Sequence, residues 1–274
     1  KPCTLKNVIR CPYHSWSYDF EGKLVATPHI GGLNIHSSSK FDKSQSNLKE
    51  VKTKVWMDII FVNINSNEID FEEYIKPLEQ RWSSFINKDD QNLLIHSKDY
   101  GNFDLEVKSN WKFAIENYCE SYHLPTIHPE LNKVSNINDH YHIQGLPNRF
   151  AGQGSKKYEQ PVKGNRKFKT FKNWDKNSLK CSEYVALFPN VMLGLHLDHF
   201  YVFWLEPLAT NKTKEHMQIY YIGQDSSNGE NLKELRRDNI NFWKNVMLED
   251  INAIEGMQEG RNSPVYNGGN FSPA

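Results

Sequence analysis

The sequence lacks an excess of charge of either sign and lacks any long apolar run. Its 274 residues include 33 Lys and Arg and 33 Asp and Glu. Such a balance excludes the strongly basic surface that is typical of nucleic-acid-binding proteins. The longest apolar stretches, such as 59–62 and 191–195, are far shorter than the roughly 20 residues that a membrane-spanning helix needs. We therefore expect neither nucleic acid nor a membrane as a partner.

Cysteine is also scarce, and the first residues do not resemble a signal peptide. The four cysteines do not have the spacing of a secreted disulfide scaffold, and residues 1–10 lack an apolar core. These absences favour a cytoplasmic protein. The sequence has no initial methionine and reaches its first motif by residue 11, so we expect a further N-terminal portion of the natural protein.

The residues that are present predict two domains of different character. Hydrophobic residues make up 38% of the chain and aromatic residues 13%, which is enough for a substantial core. Residues 1–67 show short strands and turns, with a hairpin over 19–25 that turns near Gly22 and a β-branched strand over 59–64. Residues 68–90 are acidic and helix-permissive, so we expect them to lead into a second domain, 68–274.

The second domain mixes strands with helices. We expect strands over 95–107, 184–195, 200–205 and 216–222, and irregular excursions over 130–180. Helical periodicity predicts a helix from Asn110 to about His123 and a long helix over 229–257. The fold class is therefore predicted to be α+β.

Cys11 and His14 form the first constellation. A Cys-x-x-His spacing lets a thiolate and an imidazole reach one metal from a turn, as in zinc sites and Rieske [2Fe-2S] centres. From the spacing alone, a structural cysteine beside a surface histidine is an equally good interpretation.

A second constellation follows the helix that begins at Asn110. His123 and His128 would lie about 140° apart on a straight helix and could not easily share a metal. Pro125 should break or kink the helix and free His128 to turn toward His123. Periodicity alone favours the alternative, a solvated polar helix face followed by a loop histidine.

A single carboxylate, Asp250, interrupts the apolar stripe of the last helix, which is formed by Trp243, Val246, Met247, Ile254 and Met257. Burying a carboxylate alone costs several kcal/mol, so Asp250 should be neutralised, paired or bound to a metal. A pair with a buried Arg or Lys is the alternative to a metal. Glu249, its neighbour, is expected to turn toward the polar side.

Residues 10–22, Arg-Cys-Pro-Tyr-His-Ser-Trp-Ser-Tyr-Asp-Phe-Glu-Gly, closely resemble the second half of the Rieske motif in ring-hydroxylating oxygenase large subunits. Asn-Trp-Lys at 110–112 and Glu-Asn-Tyr-Cys-Glu-Ser-Tyr-His at 116–123, followed by His128, resemble the mononuclear iron segment of the same family. The chain is thus similar to Rieske non-heme iron oxygenase alpha subunits, and most similar to the choline, glycine betaine and carnitine monooxygenase branch. The resemblance implies a truncated all-β Rieske domain, 1–67, followed by a helix-grip catalytic domain, 68–274.

The resemblance also implies the cofactors and their ligands. Cys11 and His14 would be two of the four ligands of a [2Fe-2S] cluster, and the family's other pair, a Cys-x-His, is not in this sequence. The mononuclear Fe(II) would be held by His123, His128 and Asp250.

The remaining implied roles concern electron transfer. Glu120 would bridge His123 to a Rieske histidine, so that electrons pass from His14 through Glu120 to His123 of a neighbouring subunit. Asn117 is a further catalytic candidate. Because the crossing in this family is between subunits, a homotrimer is implied.

The implied activity uses O2 and electrons from NAD(P)H, delivered by a reductase and in some relatives a ferredoxin. The chain would hydroxylate or N-demethylate a small organic substrate, with a quaternary amine preferred and cation–π contacts in an aromatic pocket. Three alternatives stay open: an aromatic ring-hydroxylating dioxygenase large subunit, a zinc-dependent hydrolase, and a non-catalytic electron-transfer protein.

Other metal-ligating side chains are not assigned to a site. The close spacings of His140 with His142 and of His196 with His199 favour hydrogen-bonded or pocket histidines over a second metal site. Cys119 and Cys181 are expected to be buried thiols.

Overall fold

The structure, a computed structural model, describes residues 7–65, 69–159 and 166–270. The chain divides into two compact units, Lys1–Ile69 and Asp70–Ala274. The boundary expected near residue 67 falls in the segment 66–68, outside the described residues. None of the helices in the described ranges is both long and apolar enough to cross a membrane.

The first unit is built from short antiparallel strands, as expected. Three of them form one sheet in the order β1 (Ile9–Arg10), β2 (Ser17–Tyr18) and β3 (Leu24–Ala26), and β4 (Lys52–Trp56) pairs with β5 (Ile59–Asn63). The β2–β3 turn has Gly22 at φ 81°, a left-handed conformation that glycine adopts without steric cost. The all-β prediction for this part of the chain is confirmed.

The second unit contains eight strands and seven α-helices within the described residues. In chain order they are α1 (Phe71–Trp82), α2 (Lys88–Asn92), β6 (Leu94–His96), β7 (Asn102–Val107), α3 (Trp111–Tyr118), α4 (Leu124–Ile127), α5 (Pro129–Val134), β8 (His140–Leu146), β9 (Phe150–Ser155), β10 (Ser182–Leu187), β11 (Val191–Leu195), β12 (His199–Ala209), β13 (Lys212–Ile222), α6 (Gly223–Asn228) and α7 (Lys233–Arg261).

All eight strands belong to one antiparallel sheet. Its order is β6-β13-β12-β11-β10-β9-β8, and β7 pairs with β13 beside β6. Apolar residues on one face of the sheet form a single core with residues of α3 and α7, among them Phe203, Met217, Ile115 and Trp243. This antiparallel sheet packed by helices confirms the α+β class.

Strands β8 and β9 correct the expectation of irregular excursions over 130–180. Their sequences, HYHIQGL and FAGQGS, lack the dense β-branched residues by which a strand is recognised. Two glycines of β9 are required by packing, because a Cβ at Gly152 would overlap the carbonyl oxygen of Tyr184 and one at Gly154 would overlap the ring of Tyr141. Close approach between strands is a common reason for glycine within a sheet.

Other predicted elements are confirmed with shifted bounds. The strand expected over 95–107 is divided into β6 and β7, and the one over 184–195 is divided into β10 and β11. The last helix, expected over 229–257, begins at Lys233 and continues to Arg261. Its predicted apolar stripe is buried from Trp243 to Ile254.

A buried ion network joins α1 to the sheet. Both oxygens of Glu183 on β10 accept hydrogen bonds, from Arg81 Nε and Nη2 at 2.9 and 2.7 Å, from Trp82 Nε1 at 2.9 Å and from the hydroxyl of Tyr141 at 2.9 Å. Because Glu183 is only 2% exposed, removing its carboxylate would break a buried hydrogen bond from Trp82 and leave the guanidinium of Arg81 without its ion pair to Glu183.

We expect Glu183→Leu to lower the free energy of unfolding by about 3 kcal/mol, measured by urea denaturation with tryptophan fluorescence. Glu106→Gln on β7 is the matched control, because Glu106 pairs with Lys212 at an exposed position and should leave the midpoint unchanged. Equal midpoints for the two variants would show that the network does not anchor α1.

Candidate metal centre

Helix α3 ends at Tyr118, five residues before the predicted end at His123. The amide of Gln153, on β9, donates hydrogen bonds from Nε2 to the carbonyl oxygens of Tyr118 at 3.2 Å and Glu120 at 2.7 Å. These bonds satisfy carbonyls that a continuing helix would have used, so they stabilise the helix end. The segment that carries Glu120 and His123 is thereby released from helical geometry.

The helix was expected to break around Pro125, and this position is wrong because the helix already ends at Tyr118. Pro125 lies in the first turn of α4, where the missing N–H of proline costs nothing because the first turn of a helix has no acceptors for it. His123 caps the N-terminus of α4 and His128 follows its last residue, with φ −118° and ψ 62°. The short helix between them places the two rings 5.1 Å apart, centroid to centroid.

Asp250, on the buried stripe of α7, meets the two histidines. Its Oδ1 atom lies 2.9 Å from Nε2 of His128 and 3.8 Å from Nε2 of His123. The three ligand atoms all lie within 4.8 Å of one another, and this is the only such group of three or more His, Cys, Asp or Glu in the part of the chain that the structure describes. The sequence-predicted triad is thus assembled in space.

Two glutamates orient the imidazoles. Glu120 Oε1 accepts a hydrogen bond from Nδ1 of His123 at 2.5 Å, and Glu249 Oε2 accepts one from Nδ1 of His128 at 2.8 Å. Both rings are therefore protonated at Nδ1 and turn the lone pair of Nε2 toward Asp250. Carboxylates commonly hold metal-ligating histidines in this way.

Glu249 lies on the exposed side of its helix, as expected, and its contact with His128 was not predicted. Its side chain is 36% exposed, yet its carboxylate reaches back to His128. Adjacent residues on a helix point in directions about 100° apart, so Glu249 and Asp250 begin on different sides of α7. The glutamate side chain is long enough to reach His128 from its own side. Its position next to the ligand was the signal available in the sequence.

The polar atoms of the triad fit a cation better than a hydrogen-bond network. Oδ1 of Asp250 is buried and has no hydrogen-bond partner among the described residues, although Nε2 of His128 is 2.9 Å away, because the two atoms are not aligned for a hydrogen bond. Two imidazole lone pairs and a carboxylate oxygen thus face the same space without a donor between them. This donor set is the two-histidine, one-carboxylate triad of non-heme Fe(II) sites.

The surrounding charges affect the protonation of His128 and Glu120. Burial lowers the pKa of His128, but Asp250 and Glu249 outweigh it and raise the pKa above the usual value of histidine. Partial burial favours a higher pKa for Glu120, but hydrogen bonds from His123 and from the backbone of Tyr122 hold it below the usual value. Glu120 is consequently ionised at neutral pH.

A cavity opens beside the triad. Its lining combines the three triad residues with Asn117, Tyr118, Leu124, Leu131, His140, Gln153, Tyr184, Tyr201, Trp243, Val246 and Met247. The predicted candidate Asn117 therefore lies at the site. His140 and Gln153, which were not predicted here, are joined by a bond between His140 Nδ1 and Gln153 Oε1 at 2.9 Å. No signal in the sequence marked Gln153, since β9 itself was not recognised.

In the first unit, Cys11 and His14 share one tight turn between β1 and β2. The turn is closed by backbone bonds from Cys11 to Trp16 at 2.8 Å and from Ser15 to Cys11 at 3.0 Å. Cys11 is partly buried and His14 is exposed. Both are therefore placed where a turn can present them to one cluster. Cys3 lies outside the described residues.

The histidines that were left unassigned do not form a second group of metal ligands among the described residues. Both ring nitrogens of His199 are hydrogen-bonded: Nδ1 bonds to Asp198 at 2.7 Å, and Nε2 accepts from Trp243 at 3.1 Å. Cys119 and Cys181 are free thiols that are partly, not fully, buried.

Two family models match the chain. Residues 94–274 match the ring hydroxylating alpha subunit (catalytic domain), and residues 3–37 match the Rieske [2Fe-2S] domain. Together these domains imply a Rieske cluster and a mononuclear iron as cofactors.

Among curated relatives, the oxygenase subunit of carnitine monooxygenase from Acinetobacter pittii is 26% identical over 96% of this chain, and putrescine 2-hydroxylase from Ralstonia nicotianae is 25% identical over 93% of it. The chain spans 65% and 64% of the lengths of these relatives.

A solved structure of a quaternary ammonium Rieske monooxygenase superposes on 96% of this chain with a TM-score of 0.72 and 22% identity, and the chain covers 65% of it. At that identity the likeness concerns the fold. Because the match to the catalytic-domain model extends over 94–274 and includes the whole triad, the chain belongs to the family of ring-hydroxylating alpha subunits.

Proposed function

We propose that this chain is the oxygenase component of a Rieske-type monooxygenase that hydroxylates or N-demethylates a small quaternary amine. The observation that carries the proposal is the triad: His123, His128 and Asp250 direct three lone pairs into one space beside an aromatic cavity. Fe(II) held by such a triad keeps open positions and supplies the redox chemistry that activates O2.

The residues around the triad would position the substrate and exclude water. Rings of Tyr118, Tyr184, Tyr201 and Trp243 line the cavity, and such rings can hold a quaternary ammonium group through cation–π contacts. Hydroxylation of an N-methyl carbon inserts one oxygen atom, and the second leaves as water after two electrons and two protons have been supplied. The resulting N-hydroxymethyl ammonium group then loses formaldehyde and a proton and leaves a tertiary amine, which is the demethylation.

The relatives support an amine over an aromatic substrate. One of them is named for carnitine and another for putrescine, and both compounds carry nitrogen beside oxidisable carbon. An aromatic ring-hydroxylating dioxygenase stays the second candidate, because the likeness in fold extends to naphthalene 1,2-dioxygenase from Rhodococcus sp..

Electrons would arrive from a reductase through a Rieske cluster, of which Cys11 and His14 supply two ligands. Glu120 is suited to the last step, the transfer of an electron toward His123. Its carboxylate binds His123, and its side chain is still 38% exposed, so a second protein surface could reach it. Inter-subunit electron transfer is described for the quaternary ammonium Rieske monooxygenase whose structure superposes on this chain. We accordingly propose a homotrimer.

The first prediction concerns metal content. His128→Ala and Asp250→Ala should each lower bound iron from about one ion per catalytic domain to less than about one tenth, because two remaining ligands cannot hold Fe(II) in this geometry. His142→Ala, at an exposed histidine outside the triad, should keep its iron. Elemental analysis of the purified variants gives the result, and zinc in place of iron in the parent protein would favour the zinc hydrolase.

The second prediction concerns Glu120→Gln. We expect iron content to stay close to normal while reductase-coupled turnover is lost, because a neutral amide cannot reproduce two charge-assisted hydrogen bonds. Formaldehyde release and O2 consumption measure turnover, with Glu130→Gln, at an exposed ion pair with Lys133, as the control.

Two results would contradict the role of Glu120. Loss of iron from Glu120→Gln would mean that the carboxylate is needed to hold His123 in place. Near-normal product formation would mean that electrons reach the iron by another route.

A further inference from the structure

Three polar side chains form a hydrogen-bonded chain beside the metal centre, and we call Ser135, His140 and Gln153 the polar relay. The hydroxyl oxygen of Ser135 lies 2.9 Å from Nε2 of His140, and Nδ1 of His140 lies 2.9 Å from Oε1 of Gln153. Nε2 of Gln153 donates to the carbonyl oxygens of Tyr118 at 3.2 Å and Glu120 at 2.7 Å. The polar relay therefore ends on the residue that the proposed electron route uses.

The donors and acceptors of the polar relay have one consistent arrangement. Both bonds from Gln153 Nε2 end on carbonyl oxygens, so Oε1 of Gln153 is the acceptor for Nδ1–H of His140. Nε2 of His140 then accepts from the hydroxyl of Ser135. Burial lowers the pKa of His140, which favours this neutral form of the ring. A flipped amide would set the oxygen of Gln153 against two carbonyl oxygens, so its orientation is fixed.

The polar relay connects the two segments that carry the histidines of the triad. Ser135 caps the C-terminus of α5, the helix whose N-cap is His128. The other end of the relay holds the backbone beside residues 120–123, which include His123. Ser135 is 0% and Gln153 6% exposed, so water does not compete for these bonds. The two segments are thus joined through protein groups alone.

Gln153 does more than end helix α3. The helix ends at Tyr118, yet the shorter of the two amide bonds goes to Glu120, beyond the helix. The other backbone hydrogen bonds of residues 120–123 within the described ranges are local, from the side chain of Glu120 and from residues 124–127. The position of this backbone relative to the sheet therefore depends on Gln153.

The carboxylate of Glu120 follows the backbone that Gln153 holds. Its Oε1 atom accepts from Nδ1 of His123 and its Oε2 atom from the backbone N–H of Tyr122, so the carboxylate moves with residues 120–123 as one unit. Electron transfer between proteins becomes steeply slower as the distance grows. A small displacement of this unit would therefore separate Glu120 from the protein surface that delivers the electron.

We propose that Gln153, oriented by His140 and Ser135, is a positioning residue that holds Glu120 in place for the entry of electrons. Gln153 acts through Glu120 and is not a ligand of the metal. The inference rests on the proposed function, specifically on the electron route through Glu120.

The test measures the arrival of electrons at the iron without substrate and without O2. The full-length protein, loaded with its Rieske cluster and ferric iron, is mixed with NADH and the reductase, and the loss of the ferric EPR signal gives the rate. Gln153→Leu keeps a side chain of similar size but cannot bond the two carbonyls. We expect it to keep its iron and to slow the reduction about 10- to 100-fold, the usual effect of losing a group that orients a metal ligand.

A second measurement excludes a change at the iron itself. In a Cys11→Ala background the cluster cannot carry electrons, so dithionite has to reduce the ferric iron directly. Adding Gln153→Leu to this background should leave the rate of direct reduction unchanged, whereas a general disturbance of the metal centre would change it.

Three further variants test the path of the effect. His140→Phe should slow reduction by the reductase less than Gln153→Leu, because it removes only the bond that orients the amide. The double variant of Glu120→Gln and Gln153→Leu should be no slower than Glu120→Gln alone, since both act on one step. Gln218→Leu is the matched control on β13 of the same sheet: it removes a bond from the hydroxyl of Tyr220 and should keep the parent rate.

The outcomes separate this inference from the proposed substrate. A parent-like rate in Gln153→Leu, loss of its iron, slower direct reduction, or a double variant slower than Glu120→Gln would each overturn the inference. If quaternary amines give no formaldehyde but Gln153→Leu still slows reduction by the reductase, the inference holds and the substrate is wrong. Failure of the reductase to reduce the iron of the parent protein would contradict both.

Discussion

The buried carboxylate of Asp250 is the constraint on which the catalytic unit depends. It lies on the apolar stripe of a 29-residue helix, and its Oδ1 atom has no hydrogen-bond partner among the described residues. An isolated carboxylate in such a place costs several kcal/mol, so the fold has to bring a compensating cation to it. The two Nε2 atoms that face it are also acceptors when their rings are neutral, and a metal satisfies all three at once.

The assembly of these three acceptor atoms explains several features of the fold that lie outside the triad. Helix α3 must end early so that His123 and His128 can flank a short helix, and Gln153 provides the bonds that hold this end. Gln153 is in turn oriented by His140, whose Nε2 lies 2.9 Å from the hydroxyl oxygen of Ser135. A strand of the sheet thus positions the segment that carries the predicted metal ligands His123 and His128, although it contributes none of them.

The same helix that carries Asp250 also carries Trp243, and both residues line the cavity beside the triad. Trp243 donates its indole N–H to His199 and contacts the ring of His196. Since one rigid helix presents both residues, the distance between Trp243 and Asp250 is set by helical rise, about 10 Å over seven residues.

The sequence by itself determined the family, the α+β class, the three predicted metal ligands that the fold brings together and the buried stripe of α7. These properties are local: motif spacing and a 3.6-residue period appear in consecutive residues. The early end of α3, strands β8 and β9 and the bond from His128 to Glu249 were decided only by tertiary structure. Each depends on contacts between residues that are far apart in the sequence, such as His128 and Glu249, which are separated by 121 residues. The packing of the helices on the sheet determines which of these residues meet.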